Sequence, residues 1–175
     1  MEKTVLEVKN ISKKYKNIIA VNDLSLRVKE AMVYGLLGPN GSGKTTTLGM
    51  LLGVINPNKG SYSWFGNDSK DVNRKRIGSL LETPNFYPYL TAEQNLEISA
   101  KIKEVENIPI EIERVLKMVD LYDRKDSKFS TFSLGMKQRL AIGSALLGSP
   151  EVLVLDEPTN GLDPQGIAEI RDLII

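Results

Sequence analysis

The sequence predicts an α/β fold with a mostly parallel sheet, an N-terminal antiparallel β region and an α-helical subdomain. Near the N-terminus, apolar and polar residues alternate, which is typical of half-buried antiparallel strands. Two continuous apolar runs, at residues 32–37 and 152–155, are typical of buried parallel strands. Amphipathic helical patterns occupy most of residues 83–149 between these runs. Together these patterns indicate an α/β core that carries a helical insert.

Composition restricts the possible functions before any motif is considered. The 175 residues carry 23 Lys and Arg against 22 Asp and Glu, a balance that argues against a nucleic-acid partner. The sequence has no histidine, so a catalytic base would have to be a carboxylate. It also has no cysteine, which fits a reducing cytosol. No apolar run approaches the roughly 18 residues of a membrane span, and the N-terminus does not resemble a signal peptide.

The N-terminal half contains three predicted half-buried strands, at residues 4–15, 22–30 and 60–66. A turn is expected at 66–68, where Gly, Asn and Asp follow one another. The apolar run "MVYGLL" is predicted to be a fully buried strand that leads through a glycine-rich loop into a helix. That helix is expected to begin at Lys44.

The second half is predicted to be mainly helical. Thr91 and Gln94 form a capping-box pattern that opens one helix, and Ser133 is expected to open another. The remaining two predicted helices each have an apolar stripe, formed by Ile112, Val115, Leu116 and Val119 in the first and by Ile167, Ile170 and Ile174 in the second. We therefore assign residues 1–82 and 150–175 to an α/β core and residues 83–149 to a helical subdomain.

The stretch "GPNGSGKT" matches the phosphate-binding pattern G-x-x-x-x-G-K-[ST] and lies between a predicted strand and a predicted helix. Glycines allow the backbone to turn tightly and direct its N–H groups at phosphate oxygens, and the helix N-terminus adds partial positive charge. Lys44 is expected to reach the terminal phosphates, and the Thr45 hydroxyl is expected to ligate Mg²⁺. The predicted nucleotide contacts are Gly38, Pro39, Asn40, Gly41, Ser42, Gly43, Lys44, Thr45 and Thr46.

A second acidic site is predicted at the end of the apolar run in "VLVLDEPTNGLD". Asp156 can hold Mg²⁺ through water, and Glu157 projects beside it toward the terminal phosphate. Because no histidine is available, Glu157 is the best candidate to polarise an attacking water. The alternative is that these carboxylates only cap the next helix, as acidic residues at strand ends often do.

These motifs resemble the nucleotide-binding domain of ATP-binding cassette (ABC) proteins, and the resemblance covers Val5 to Ile175. The stretch "FSLGMKQR" stands where that family has its L-S-G-G-Q signature; Ser133 and Gly135 are retained, while Phe132, Leu134 and Met136 depart from the pattern. The resemblance implies a head-to-tail dimer in which Ser133 and Gly135 face the γ-phosphate of ATP bound to the opposite protomer. The alternative is an ordinary serine-capped helix of the core.

Two further positions gain a role from the resemblance. Asp163, in "NGLD", matches the family's D-loop at the dimer interface, although Asp163 followed by Pro164 is also an ordinary N-cap with Pro at N1. Tyr15 matches the aromatic residue that stacks on adenine; the alternative is a solvated residue at a strand end.

Glu82 falls where the family usually has the glutamine of its Q-loop. This glutamate, the following "TPNFYPYLTAEQNL" and "SLGMKQR" resemble the subgroup that exports bacitracin and lantibiotics. The resemblance implies that Glu82 approaches Mg²⁺ and the attacking water; the alternative is a surface glutamate at a strand end. Phe86, Tyr87 and Tyr89 could receive the membrane subunit or could pack this loop onto its own domain.

The function implied is that of an ATPase subunit, with ATP and Mg²⁺ as cofactors, in an exporter of a peptide antibiotic. The expected partners are a second nucleotide-binding domain and integral membrane permease subunits, which would place the chain at the cytoplasmic face of the membrane. The alternatives are an exporter of other drugs or metabolites, or a soluble cassette that acts on ribosomes or DNA. A small-molecule kinase with the same phosphate loop would lack the signature helix and the D-loop.

The C-terminal sequence "RDLII" stops on apolar residues without a helix C-cap. The resemblance implies at least one further strand and then a histidine that contacts the γ-phosphate. We therefore expect that the last strands of the domain are missing and that these 175 residues alone hydrolyse ATP poorly.

Overall fold

The structure, a computed structural model, describes residues 3–66, 75–81 and 86–174. The chain divides into two compact units, residues 1–74 and residues 75–175. Glu82 and part of the predicted turn at 66–68 lie outside the described residues.

Among its described residues, the first unit contains a three-stranded antiparallel sheet and one helix. The strands are β1 (Thr4–Tyr15), β2 (Ile18–Lys29) and β3 (Lys59–Trp64), in the order β2-β1-β3, and the helix is α1 (Lys44–Leu51). All three predicted antiparallel strands are thus confirmed. The alternation of apolar and polar residues places one face of each strand toward a core. The core side chains of this unit include Leu6, Val8, Ile11, Val21, Met50 and Trp64.

The predicted strand at residues 32–37 is wrong. None of these residues lies in a strand, and Val33 and Leu37 are 82% and 92% exposed. An apolar run becomes a buried strand only where neighbouring strands complete its hydrogen-bond ladder. In the described ranges this segment enters no ladder, so its composition alone does not determine its conformation.

In the residues that the structure describes, the second unit combines a parallel strand pair with four α-helices. Strands β4 (Ile77–Leu80) and β5 (Val152–Leu155) pair in parallel from Ile77 opposite Val152 to Leu80 opposite Leu155. Strand β5 is half-buried rather than fully buried, since β4 is its only partner among the described strands. The helices are α2 (Ala92–Ile102), α3 (Ile108–Met118), α4 (Leu134–Leu146) and α5 (Pro164–Ile174).

The helices of the second unit form where the sequence predicts them. Thr91 and Gln94 make the expected capping box, with each side chain bonded to the other residue's backbone N–H. The predicted face of α3 is buried in a core shared with α2 and α4, at Ile112, Val115, Leu116 and Val119. On α5, Ile170 is buried while Ile167 is 43% exposed, so the predicted stripe is only partly correct.

The grouping of residues 1–82 with 150–175 in one core, around a helical subdomain at 83–149, stays a prediction.

Among the residues that the structure describes, no helix has the length and apolar character needed to cross a membrane.

Candidate functional site

The glycine-rich stretch at residues 38–45, called here the phosphate loop, leads directly into α1. Gly43 is the N-cap of α1 and Lys44 is the first helical residue. The Lys44 ammonium folds back over the loop and donates to the carbonyl oxygens of Gly38 at 2.9 Å and Pro39 at 3.3 Å. This arrangement holds a cation above a helix N-terminus, whose partial positive charge is a suitable environment for an anion.

Two glycines of the phosphate loop have backbone conformations that side chains rarely adopt. Gly41 and Gly43 have φ angles of 81° and 91°. A β-carbon on Gly43 would also lie 2.1 Å from the carbonyl oxygen of Ala20 in β2, whereas one on Gly41 would meet nothing within 4 Å. The loop is therefore packed tightly against β2 at Gly43 and open at Gly41.

Tyr15 lies at the same end of the β1–β2 hairpin as the phosphate loop. It pairs with Ile18 at the start of β2, and Ala20, two residues further along β2, is the residue that approaches Gly43. The Tyr15 ring is 45% exposed, and the Lys13 ammonium lies 5.3 Å from its centre. An exposed aromatic ring near a phosphate loop can accept a base by stacking.

The predicted acidic site lies just past β5 in the second unit. Asp156 is 7% exposed, and its backbone N–H donates to the Leu80 carbonyl oxygen at 2.8 Å. Glu157 is exposed, has a φ angle of 45°, and accepts a hydrogen bond from the Asn160 side chain at 3.3 Å. A non-glycine residue at positive φ is uncommon and is often held there for a functional reason. The two carboxylates therefore occupy the carboxyl edge of a parallel strand pair.

Ser133 and Asp163 line one pocket of about 470 Å³ in the second unit. Ser133 is the N-cap of α4, and its hydroxyl oxygen accepts the Met136 N–H at 3.2 Å. The pocket contains both the signature stretch and the residues just before α5; its lining includes Ser133, Leu134, Gly135, Met136, Arg139, Gly161, Leu162, Asp163 and Gln165. The structure thus places Ser133, Gly135 and Asp163 around a common space.

Asp163 caps α5, as the alternative interpretation of the sequence predicts. Its Oδ1 accepts the Gly166 N–H at 3.0 Å, and Pro164 follows it as the first helical residue. Its carboxylate still borders the shared pocket, so the capping role does not exclude an interface role.

The aromatic residues after Glu82 divide between the two roles that the sequence leaves open. Phe86 is partly buried and packs edge-on against Phe129, with ring centroids 5.2 Å apart. Tyr87 and Tyr89 are 48% and 66% exposed, and their centroids are 5.8 Å apart. Phe86 therefore fastens this loop to its own unit, while the two tyrosines stay available to solvent.

A second pocket, of about 360 Å³, lies beside these tyrosines. Its lining includes Leu81, Phe86, Tyr87, Asn95, Ile98, Ser99, Ile102 and Ser144. Ile102 is 78% exposed and adds to the apolar character of the rim. A concave surface that combines polar groups with apolar and aromatic side chains suits a protein segment as a ligand.

One charged group beside the second pocket has a shifted pKa. Lys103 donates to the carbonyl oxygens of Ser144 at 2.6 Å and Ala145 at 3.2 Å, near the C-terminal end of α4. Burial lowers the pKa of Lys103 to about 8, because desolvation disfavours the charged ammonium. The lysine thereby ties α2 to α4 at the negative end of the α4 dipole.

Asn95 is the polar residue that sequence reasoning missed. It is 2% exposed, yet lies on α2 among residues that the sequence assigns only to a helix. In the sequence, Asn95 is only an amide residue between Gln94 and Leu96 in a predicted helix. Such a position is weak evidence for a functional role.

Comparisons with known proteins identify the family of the chain. Residues 21–160 match the model of the family described as ABC transporter. The chain is 47% identical over 174 residues to a bacitracin transport ATP-binding protein (BcrA) of Bacillus licheniformis, covering 98% of this chain and 56% of the relative. It is 37% identical over 170 residues to a lantibiotic transport ATP-binding protein (SrtF) of Streptococcus pyogenes, covering 97% of this chain and 73% of the relative. The chain thus spans about half the length of the bacitracin relative that it matches.

Solved structures match the fold over nearly the whole chain. One is the cbiO1 protein of Clostridium perfringens, part of an ABC transporter complex, with a TM-score of 0.85 and 28% identity over 99% of this chain and 73% of that chain. Another is a dimeric ATP-binding cassette in a post-hydrolysis state with ADP and phosphate, with a TM-score of 0.82 and 29% identity over 97% of this chain and 81% of that chain. These likenesses confirm the predicted fold class.

Proposed function

The chain belongs to the ABC transporter family, and from this premise we propose that it is the ATP-hydrolysing subunit of an exporter for a peptide antibiotic. The proposal for the transported compound comes from relatives described as bacitracin and lantibiotic transport ATP-binding proteins. The proposal for the activity is carried by one observation above all: Ser133, Gly135 and Asp163 border a common pocket. A nucleotide kinase with a phosphate loop has no need of such a pocket.

ATP binding is assigned to the first unit. The N–H groups of the phosphate loop and of the first turn of α1 would hold the phosphates, and Lys44 would exchange its bonds to Gly38 and Pro39 for bonds to the terminal phosphates. The exposed Tyr15 ring would stack on the adenine, at the same end of the hairpin.

Hydrolysis is assigned to the carboxylates of the second unit. Glu157 is exposed and acceptor-only when ionised, so it can take a proton from a water that attacks the γ-phosphate. Thr45, Asp156 and Glu82 supply the oxygen donors that Mg²⁺ prefers, and these residue types fit that ion. When bound, Mg²⁺ would offset the negative charge of the phosphates.

The partner for the shared pocket is a second cassette, arranged head to tail. The N–H groups at the start of α4 and the Ser133 hydroxyl would face the γ-phosphate of ATP bound to that cassette. Asp163 would lie at the interface between the two cassettes. Leu134 is 49% exposed at the rim of this pocket, where the family pattern has glycine, so this part of the interface would be more apolar than usual.

The second partner is an integral membrane permease, which would hold the chain at the cytoplasmic face of the membrane. We assign its docking surface to the second pocket together with Tyr87 and Tyr89, because Tyr87 lines this pocket and both tyrosines are exposed. The near-neutral net charge of the chain argues against a nucleic-acid partner.

The experiment that tests this proposal is export-dependent resistance in a sensitive Gram-positive host. The chain is expressed together with a candidate membrane permease, and the inhibitory concentrations of bacitracin and of a lantibiotic are measured. We expect at least one of them to rise severalfold with the wild type and not with Lys44→Ala. If neither changes while another class of drug is exported, the chain is a cassette for a different compound. If wild type and Lys44→Ala behave alike for every drug, the exporter assignment is wrong.

A further inference from the structure

The buried Asn95 amide holds the loop that carries the two exposed tyrosines. We call residues 86–91 the aromatic loop. Asn95 Oδ1 accepts the Tyr87 N–H at 2.8 Å, and Nδ2 donates to the carbonyl oxygens of Tyr87 at 3.1 Å and Thr91 at 2.9 Å. Because the residue is 2% exposed, water does not compete for these bonds. One side chain thus closes both ends of the loop.

The opposite edge of the aromatic loop pairs with a segment that leads to the signature serine. We call residues 125–131 the pre-signature segment. The N–H groups of Phe129 and Ser130 donate to the carbonyl oxygens of Leu90 and Pro88, both at 2.9 Å. Further along, the Ala92 N–H donates to the Ser127 carbonyl oxygen at 3.1 Å. The loop is therefore fixed from two sides, by the Asn95 side chain and by this backbone.

Aromatic packing continues the connection to the start of α4. The Phe86 ring packs on Phe129, and Phe129 lies 6.0 Å from Phe132 between ring centroids. Phe132 is 4% exposed and directly precedes Ser133, the N-cap of α4. Close-packed aromatic side chains resist separation, so a shift of the aromatic loop would also displace Ser133.

We propose that Asn95 is a positioning residue that fixes the aromatic loop against the pre-signature segment. It thereby fixes the position of the exposed tyrosines relative to Ser133 and to the pocket that faces the second cassette. This inference rests on the proposed function in assigning the tyrosines to a permease. Asn95 lines the second pocket, but its amide is bonded to the aromatic loop, so we expect its effect on export to be transmitted through that loop.

Hydrogen–deuterium exchange of the full chain tests the positioning without any permease. In Asn95→Ala we expect exchange of the aromatic loop and of the pre-signature segment to increase roughly tenfold or more, because a closed local structure loses its central hydrogen bonds. Exchange within α3 should stay as in the wild type. Asn95→Asp keeps an acceptor for the Tyr87 N–H but loses the donor to the carbonyl oxygens of Tyr87 and Thr91. It should give the same pattern, and it can replace Asn95→Ala if that variant folds poorly.

A matched control separates positioning from general destabilisation. Ile112→Val removes one methyl group from the core that α2, α3 and α4 share, and Ile112 lies on α3. It should increase exchange across that core rather than in the aromatic loop. If Asn95→Ala produces the distribution of Ile112→Val, or leaves the loop unchanged, Asn95 has only a structural role and the proposal is wrong.

The functional measurement compares ATP affinity with export. With the permease present, Asn95→Ala should reduce drug resistance severalfold, while ATP affinity stays within about twofold, since the hydrogen bonds of Asn95 are to the aromatic loop and not to the phosphate loop. Unchanged resistance in a variant whose loop exchanges faster would overturn the proposal. If the wild type confers no resistance with any permease, the proposed function fails, and the exchange experiment still decides whether Asn95 positions the loop.

Discussion

Gly43 lies directly against the backbone of Ala20, so that a β-carbon added at Gly43 would stand 2.1 Å from the Ala20 carbonyl oxygen. Real β-carbons do not approach a backbone oxygen this closely, and the backbone of β2 cannot move aside as the end of a flexible side chain could. The contact fixes the start of α1 against the β1–β2 hairpin. The phosphate loop therefore depends on this glycine for space as well as for its positive φ angle.

This contact predicts a difference between two glycine-to-alanine variants. Gly41→Ala introduces only the strain of a left-handed backbone, roughly 1–2 kcal/mol, since the added carbon meets open space. Gly43→Ala adds the clash with Ala20 to the same strain and should destabilise the chain more and weaken ATP binding. Urea denaturation and ATP titration of both variants measure the difference. Equal losses of stability in the two would contradict the packing described at Gly43.

Ser133 and Thr91 allow a similar paired experiment, because each caps a helix through its hydroxyl oxygen. Ser133→Ala and Thr91→Ala should each cost about 0.5–2 kcal/mol of stability, as lost N-caps do. Only Ser133 lines the pocket assigned to the second cassette, so only Ser133→Ala should also weaken the ATP-dependent dimer. Analytical ultracentrifugation with ATP distinguishes them. If both variants dimerise as the wild type does, Ser133 is an ordinary helix cap.

Much of this architecture could be predicted from sequence because its signals are local. The capping box at Thr91, the N-caps at Ser133 and Asp163, and the alternation in β1 each depend on residues close together in the chain. The phosphate loop belongs to the same class, since its glycines, lysine and helix are contiguous.

The features that sequence reasoning missed depend on distant neighbours. Residues 32–37 have the composition of a buried strand, but a strand also requires partners that composition does not specify. Asn95 has the appearance of an ordinary helical amide until Tyr87 and Thr91 are placed around it. The packing of Phe86 likewise depends on a residue far along the chain, since its ring contacts Phe129.

Glu82 remains a prediction from sequence, since it lies outside the described residues. A carboxylate that approaches Mg²⁺ and the attacking water should matter more in the transition state than in binding. We expect Glu82→Ala to lower kcat much more than it weakens ATP binding, Glu82→Gln to retain part of the activity, and the dependence on Mg²⁺ to shift in both. Steady-state ATPase rates at several Mg²⁺ concentrations, with ATP affinities, test this. Three superimposable curves would make Glu82 a bystander.

We propose that two copies of this cassette hold ATP between them and that Glu157 assists its hydrolysis. The most direct test is Glu157→Gln in the full-length protein, measured by ATPase assay and by light scattering with and without ATP. Glu113→Gln, which changes an exposed glutamate paired with Lys117 on α3, is the control. We predict that Glu157→Gln binds ATP normally, loses roughly 10²–10⁴ in hydrolysis rate, and accumulates as an ATP-dependent dimer, because the amide keeps the shape but cannot accept the proton. Hydrolysis at the wild-type rate, or a protein that stays monomeric with ATP, would contradict the account.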